Sequence, residues 1–322
     1  MFKHRSDGYF AKSADPILGM TSHIMQHRYD AMVQFLFVER CDAMDEYIRK
    51  KAEQGIRINY MHILIASLVR LYAEKPKINR FVMNGRVFQR KGIYICFAIK
   101  KQLNENAPED TIKMKFTGEE TLLQIKDKID SEIYQNRRAS NDTEKTAKLL
   151  KKIPNGLTKF VVNFCKFLDI HGALPKKLIN VSPFHTGCWV TNMKSISTDY
   201  VYHHLYDFGT SSMFVGLGKE HMEPVFNEET EAIEVAKVIK LGLVIDERIC
   251  DGFYYAKSVK LVRKFLQNPS LLDEPFELSL EQKVWNYQGI EQKNAKKELK
   301  IAEKRQKLRE KQQKKQKKAS VV

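Results

Sequence analysis

Asp246-Glu247-Arg248-Ile249-Cys250-Asp251-Gly252 lies between an apolar run, Val235 to Ile245, and a helix-like segment, Phe253 to Leu266. Val235, Ile239, Leu241, Leu243 and Ile245 are β-branched and aliphatic residues of the kind that fill a buried strand. Asp251-Gly252 then supplies a turn before the helix. The stretch therefore reads as a strand that ends at a chemical site, because charges at the mouth of a buried strand are costly unless they are paired or used.

Moving back toward the N-terminus, Met213 to Lys219 and Ser182 to Asn192 read as further strands, the second carrying Phe184, Cys188, Trp189 and Val190. Gly216-x-Gly218 lacks the later glycine and the following helix of a phosphate-binding loop. Leu157, Phe160, Val161, Phe164, Phe167 and Leu168 mark a strongly amphipathic helix whose aromatic stripe is expected to be core. Thr121 to Arg138 has helical spacing at Leu122, Ile125, Ile129 and Ile133, and Asn136 to Thr143 is a polar connection. Ile112 to Phe116 alternates as a strand does. Ile93 to Ile99 and Arg86 to Phe88 are expected to form a hairpin around Arg90-Lys91-Gly92. Met61 to Ala73 is apolar on most sides, which predicts a buried helix stopped by Pro76. Asp42 to Gln54 suits an exposed helix, and Ala31 to Val38 a strand with apolar residues on both faces. Helices precede a series of strands without regular β-α alternation, which points to an α+β sandwich.

With 322 residues the chain can bury a large core. No run of about 18 apolar residues exists, and the first residues lack the apolar centre of a signal peptide, so a cytoplasmic address is expected. The five cysteines are odd in number and widely spaced, which argues against a disulfide framework or a zinc site. Cys250, inside the key stretch, reads as a small buried filler. The net charge of +16 is uneven: Gln292 to Val322 holds eleven Lys and two Arg against three Glu. An anionic partner is therefore an expectation for the tail alone. The tail carries no aromatic residue for base stacking, and a solvated extension is its ordinary fate.

The stretch 246–252 resembles the D-H-R-x-x-D-G signature of the dihydrolipoyl acyltransferase catalytic domain of 2-oxo acid dehydrogenase complexes, with chloramphenicol acetyltransferase a related family. Asp246, Arg248, Asp251 and Gly252 match, whereas Glu247 stands where the family has its catalytic histidine. Pro76-Lys77-Ile78-Asn79 is similar to the family's P-x-L-N segment, and Trp189-Val190-Thr191-Asn192 to its F-T-I-S-N strand. The resemblance runs over roughly Asp15 to Leu272. It implies a two-layer α+β sandwich of the chloramphenicol acetyltransferase type, a mixed sheet with helices on one face. The expected organisation is an N-terminal arm over 1–28, an acyltransferase-like domain over 29–276 and a basic helical or disordered tail over 277–322.

The resemblance further implies acyl transfer from an acyl-CoA or acyl-lipoyl thioester, with no covalently bound cofactor, no metal, and a homotrimer whose active sites lie between subunits. The chain is expected to lack a lipoyl domain of its own, so a lipoyl group would arrive on another protein. By similarity Thr191 supplies the hydroxyl that steadies the tetrahedral oxyanion, Asn192 stands beside it, and Glu247 takes the histidine's place. Asp251 would tie its turn through a charge pair with Arg248, and Gly252 would permit a tight turn. A glutamate has a reference pKa about two units below histidine, so it loses up to about 3 kcal/mol of driving force as a base toward a thiol. Burial would restore part of that, and a cationic amine acceptor would be attracted to the carboxylate. His203 and His204 could substitute but read as structural; His185 lies about 20 Å from Thr191 along an extended strand at roughly 3.3 Å per residue. The competing expectation is a catalytically degenerate trimeric scaffold that binds CoA or a protein partner and presents its basic tail to an anionic one.

Overall fold

The computed structural model describes residues 5–11, 15–100, 109–138, 154–227, 230–287 and 289–319. Ten strands are present among them: β1 Gly8–Phe10, β2 Met32–Arg40, β3 Arg80–Met83, β4 Arg86–Arg90, β5 Ile93–Lys100, β6 Glu109–Phe116, β7 Cys188–Asn192, β8 Met213–Leu217, β9 His221–Asn227 and β10 Ala232–Asp246. Seven form a mixed sheet in the order β2-β10-β8-β7-β5-β6, with β9 paired to the outer half of β10. β5, β7 and β8 run parallel to one another and every other pairing is antiparallel. β1, β4 and β3 make a small second sheet.

Arg90-Lys91-Gly92 was expected to turn a hairpin. Instead the chain changes sheets there, since β4 pairs with β1 and β3 while β5 pairs with β6 and β7. The hairpin turn follows β3 directly, at Asn84-Gly85, where both residues have positive φ (50° and 67°) and so match the twist of the strands they join. Ser182 to Gly187, expected as the first half of β7, is loop.

Helices cover one face of the large sheet, as the α+β sandwich requires. The helix Tyr60–Glu74 is capped by Asn59, whose side chain accepts from the His62 amide at 3.0 Å, and it is buried from Tyr60 to Ala73. Beside it pack Leu122–Arg138 through Leu122, Ile125 and Ile129, and Gly252–Gln267 through Val262, Phe265 and Leu266. These meet Ile95, Phe97, Cys188, Val190, Val215, Leu241 and Leu243 of the sheet in one continuous core. Full burial of each such aliphatic chain contributes about 1.5–3 kcal/mol.

The opposite face carries the alternate residues Cys96, Trp189, Phe214 and Val244 and is covered by the loop around Leu205 rather than by a helix. That loop crosses the sheet over two cross-strand glycines, Gly216 and Gly242. A Cβ on Gly216 would come within 2.7 Å of the Val201 carbonyl oxygen, and one on Gly242 within 2.9 Å, so the approach needs glycine at both positions.

The aromatic helix behaves differently from its expectation. Asn155–Ile170 is helical, yet Leu157, Phe160, Phe164 and Phe167 face solvent, with Phe160 67% exposed. Its periodicity is that of a buried stripe, but no element of the described chain packs on it. The N-terminal segment holds β1 and the helix Pro16–Ile24, and its Arg5 and Arg28 are buried. At the other end, Gly289–Ala319 is a 31-residue helix whose described side chains are mostly exposed.

Candidate active site

β10 delivers the motif to the end of the sheet. Asp246 is fully buried and Arg248 is 2% exposed, and the two form a forked pair: Arg248 Nε donates to Asp246 Oδ1 at 2.7 Å and Nη2 to Oδ2 at 2.6 Å. The Arg248 amide adds a bond to Oδ1 at 3.1 Å. Nη1 reaches back to the Met25 carbonyl at 2.6 Å, which fastens the N-terminal segment to the motif. The partner of Arg248 is thus Asp246 and not Asp251. Asp251 is exposed and caps the following helix, accepting from the Tyr254 amide at 2.8 Å. Gly252 opens that helix without a positive φ, and a Cβ there would meet nothing, so the turn does not depend on glycine. Cys250 is buried, and burial pushes its thiol up to about 12, in keeping with a filler.

Glu247 is the exposed residue of this turn. It opens the single 3₁₀ turn Glu247–Ile249, and its carboxylate makes no hydrogen bond or ion pair among the described residues. The buried Asp246–Arg248 fork holds the backbone on either side of it.

Thr191 and Asn192 end β7. Thr191 lies on the loop-covered face beside Trp189, and Asn192 Nδ2 approaches Met61 Sδ at 3.8 Å. Thr191 Oγ1 and Asn192 Oδ1 are both buried with no hydrogen-bond partner among the described residues. Register fixes where these groups stand relative to Glu247. Thr191 is opposite Gly216, which is opposite Gly242, five residues short of Glu247. At about 3.3 Å per residue along strands and about 4.8 Å between them, Thr191 and Glu247 of one chain are roughly 19 Å apart. They occupy opposite ends of the sheet.

The other histidines divide clearly. His203 lies flat on Phe214, ring centroids 4.3 Å apart, and burial lowers its pKa. His185 is buried against Asp169, its Nε2 at 3.1 Å from Oδ2, in a network that Arg5 completes through Asp169 Oδ1 at 2.6 Å. One pair that sequence reasoning did not single out has the geometry of an oriented base. His27 Nδ1 lies 2.7 Å from Asp207 Oδ2, while Asp207 Oδ1 accepts from the Arg28 amide at 2.8 Å. The Arg28 guanidinium is anchored on the Tyr206, Asp207 and Val82 carbonyls. His27, Asp207 and Arg248 line one cavity of about 550 Å³. The two partners are 180 residues apart in sequence and in no motif, so no local signal in the sequence could have found the pair.

Residues 189–273 match the family model of the 2-oxoacid dehydrogenases acyltransferase (catalytic domain), a span that includes both Thr191 and the 246–252 stretch. No curated protein matches the chain. Among solved structures it is similar to the cubic core of the pyruvate dehydrogenase multienzyme complex, at 13% identity and a TM-score of 0.52 over 80% of this chain and 91% of that one. A probable dihydrolipoamide acetyltransferase from Listeria monocytogenes aligns at 15% identity and TM-score 0.51, covering 84% and 99%. Azotobacter vinelandii dihydrolipoamide acetyltransferase, in which a serine, a histidine and an asparagine have been investigated for their catalytic role, gives 14%, 0.52, 80% and 90%. These likenesses establish the fold: the molecule has the architecture of an acyltransferase core. Over residues 189–273 it also carries the sequence pattern of the 2-oxoacid dehydrogenase acyltransferase catalytic domain, as the D-E-R-x-x-D-G stretch implied. No helix among the described residues is long and apolar enough to cross a membrane.

Proposed function

We propose that the chain transfers an acyl group from a CoA or lipoyl thioester to a small acceptor, at sites formed between copies of itself in a homotrimer. The observation that carries this reading is the pair of buried, unpartnered acceptor-and-donor groups Thr191 Oγ1 and Asn192 Oδ1, at one end of a sheet whose other end presents an unpaired Glu247 carboxylate. A buried polar atom without a partner is costly; an incoming carbonyl oxygen would accept from the Thr191 hydroxyl, and a donor on the substrate or on a neighbouring copy would serve Asn192 Oδ1. Since the two ends are roughly 19 Å apart in one chain by strand spacing, a second copy must bring them together.

Apolar surface supports the assembly. Met222, Phe226, Ile233 and Val235 lie on one face of the β9–β10 ribbon and are exposed, as are Val33, Phe35 and Leu36 of the edge strand β2. Contiguous exposed apolar residues of this kind mark a protein interface.

In the reaction, the acceptor's S–H, N–H or O–H proton passes to Glu247 while the freed lone pair attacks the thioester carbonyl. The Thr191 hydroxyl donates to the oxyanion. The C–S bond then breaks, and the departing thiolate recovers the proton from Glu247, so that acyl thioester and acceptor become acylated acceptor and free thiol. The His27–Asp207 bond favours a second reading of the base, in which His27 Nε2 takes the proton with Asp207 holding the ring.

Turnover of acetyl-CoA and acetyl-dihydrolipoamide with thiol, amine and hydroxyl acceptors tests the proposal. Thr191→Ala is expected to lower kcat about 10²–10³-fold, the usual loss for one oxyanion donor. Glu247→Gln and His27→Gln, compared side by side, assign the base, which contributes about 10²–10⁴-fold. Silence with every donor and acceptor, in a protein that still assembles, would instead favour the scaffold that binds CoA or a partner.

A further inference from the structure

Across the sheet from Glu247, toward the β6 edge, a cavity of about 220 Å³ opens between β4, β5, β6, the helix Lys176–Val181 and the start of the tail helix. Its cationic wall residues are Arg90, Lys91, Lys113, Lys176 and Lys296. Arg90 and Lys91 are neighbours at the end of β4, and the other three come from β6, the helix Lys176–Val181 and the tail helix, so four stretches far apart in sequence converge here through the fold. Two strands, β8 and β7, lie between β5 and β10, which makes three spacings of about 4.8 Å each.

None of these five cations makes an ion pair among the described residues. Neutral groups hold three of them in place. Lys113 Nζ donates to the Ile179 and Ser182 carbonyls at 2.7 and 3.0 Å and stands 5.1 Å from the Tyr94 ring centre. Lys91 Nζ donates to the Arg5 carbonyl at 2.8 Å and lies 4.3 Å from the Tyr9 ring centre. Arg90 is 1% exposed, spends both terminal nitrogens on Thr210, and leaves its Nε buried with no hydrogen-bond partner among the described residues. The one carboxylate on the wall, Asp7, is committed to Arg5 at 2.9 Å. Of the five, Arg90 is buried, Lys91 and Lys113 are half-buried, and Lys176 and Lys296 stand exposed at the rim. Cations withdrawn from water without acids are costly, and an anion would complete the set.

We propose that this cavity is a binding site for a small diphosphate-bearing anion. Five cations against a single neutralised carboxylate match the three to four negative charges of a diphosphate far better than a monocarboxylate's one. Lysine ammoniums set around the wall suit a ligand with charge on all sides, while Arg90 supplies a fixed donor at the base. Burial lowers the pKa of Lys113 to about 7 and that of Arg90 to about 10, which an anion in contact with them would reverse. The site stands apart from the transferase reading, because no residue proposed for acyl transfer lines it.

Calorimetric titration of the full chain with inorganic pyrophosphate tests it, with ADP as the nucleotide arm and acetate as the monoanion control. Pyrophosphate binding with little response to acetate is expected, and Lys176→Met with Lys296→Met, both at the cavity's outer wall, should weaken it at least tenfold. Tighter binding of ADP would assign the diphosphate to a nucleotide, and equal or weaker binding to the free anion. Absence of pyrophosphate binding, or affinity unchanged in the double variant, overturns the proposal. Displacement of pyrophosphate by CoA, with a raised KM for the acyl donor in the double variant, would overturn it too by assigning the cavity to the thioester substrate.

Discussion

Arg248 shows what a motif conveys and what it conceals. Two aspartates flank it, and the sequence reading paired it with Asp251, on the expectation that this carboxylate is buried and needs a cation. The choice depends on burial: Asp246 is the last residue of a strand with neighbours on both sides, whereas Asp251 faces solvent and is satisfied by a helix amide. Asp246→Asn would leave a buried guanidinium with no counter-ion, and unfolding by denaturant is expected to show a loss of roughly 3–5 kcal/mol. Asp251→Ala should cost only about 1 kcal/mol, the worth of a cap. Lys113 belongs at this scale as well. Burial, seconded by Arg90, outweighs the favourable influence of Cys96 and Asp7 and brings its pKa from 10.5 to about 7. Between those values the unfolded chain binds more protons than the folded one, so stability should rise with pH across the window. Melting curves from pH 7 to 10 are expected to show that rise, and Lys113→Met to flatten it.

At the level of elements, the buried helix Tyr60–Glu74 and the helix after Asp251 were legible because apolar residues on most sides, or at helical spacing beside a cap, admit few alternatives. The aromatic helix was legible as a helix and not as a location. Spacing at Leu157, Phe160, Phe164 and Phe167 states that one face is apolar without stating what covers it. Phe160→Ser with Phe164→Ser is accordingly expected to leave monomer stability within about 0.5 kcal/mol, while light scattering reports less self-association. The Arg90-Lys91-Gly92 turn misled because strand length and turn chemistry are local, while the decision to change sheets is made by partners such as β1 and β7 that lie far away in sequence. Gly216 and Gly242 were invisible for the same reason. Gly242→Ala would set a methyl 2.9 Å from the Val201 carbonyl oxygen, and a loss of about 1–3 kcal/mol is expected in thermal unfolding.

Across the whole molecule, helices followed by strands without β-α alternation sufficed for the α+β class, and one seven-residue stretch sufficed for the family resemblance. The candidate site was only half legible. Residues at the end of a strand could be named, but the His27–Asp207 pair needed tertiary structure, as did the opposed placement of Thr191 and Glu247. If each site takes one residue from each of two copies, mixing Thr191→Ala with Glu247→Gln protein after dissociation should regenerate some intact sites. Turnover well above either parent is the expected outcome, and its absence would overturn a site shared between Thr191 and Glu247. Phe226→Asp with Ile233→Asp is expected to reduce the mass seen on size exclusion while leaving the circular dichroism of the fold unchanged, since both side chains are exposed.

The bond from Arg248 to the Met25 carbonyl makes the front of the chain a fastener for a turn more than two hundred residues downstream. Trimming the protein back to the start of β2, as one might to tidy an irregular leader, would cut away that carbonyl together with Arg28. The turn that displays Glu247 would then be held from one side only, and a shortened variant could lose activity without any residue of the reaction having been touched.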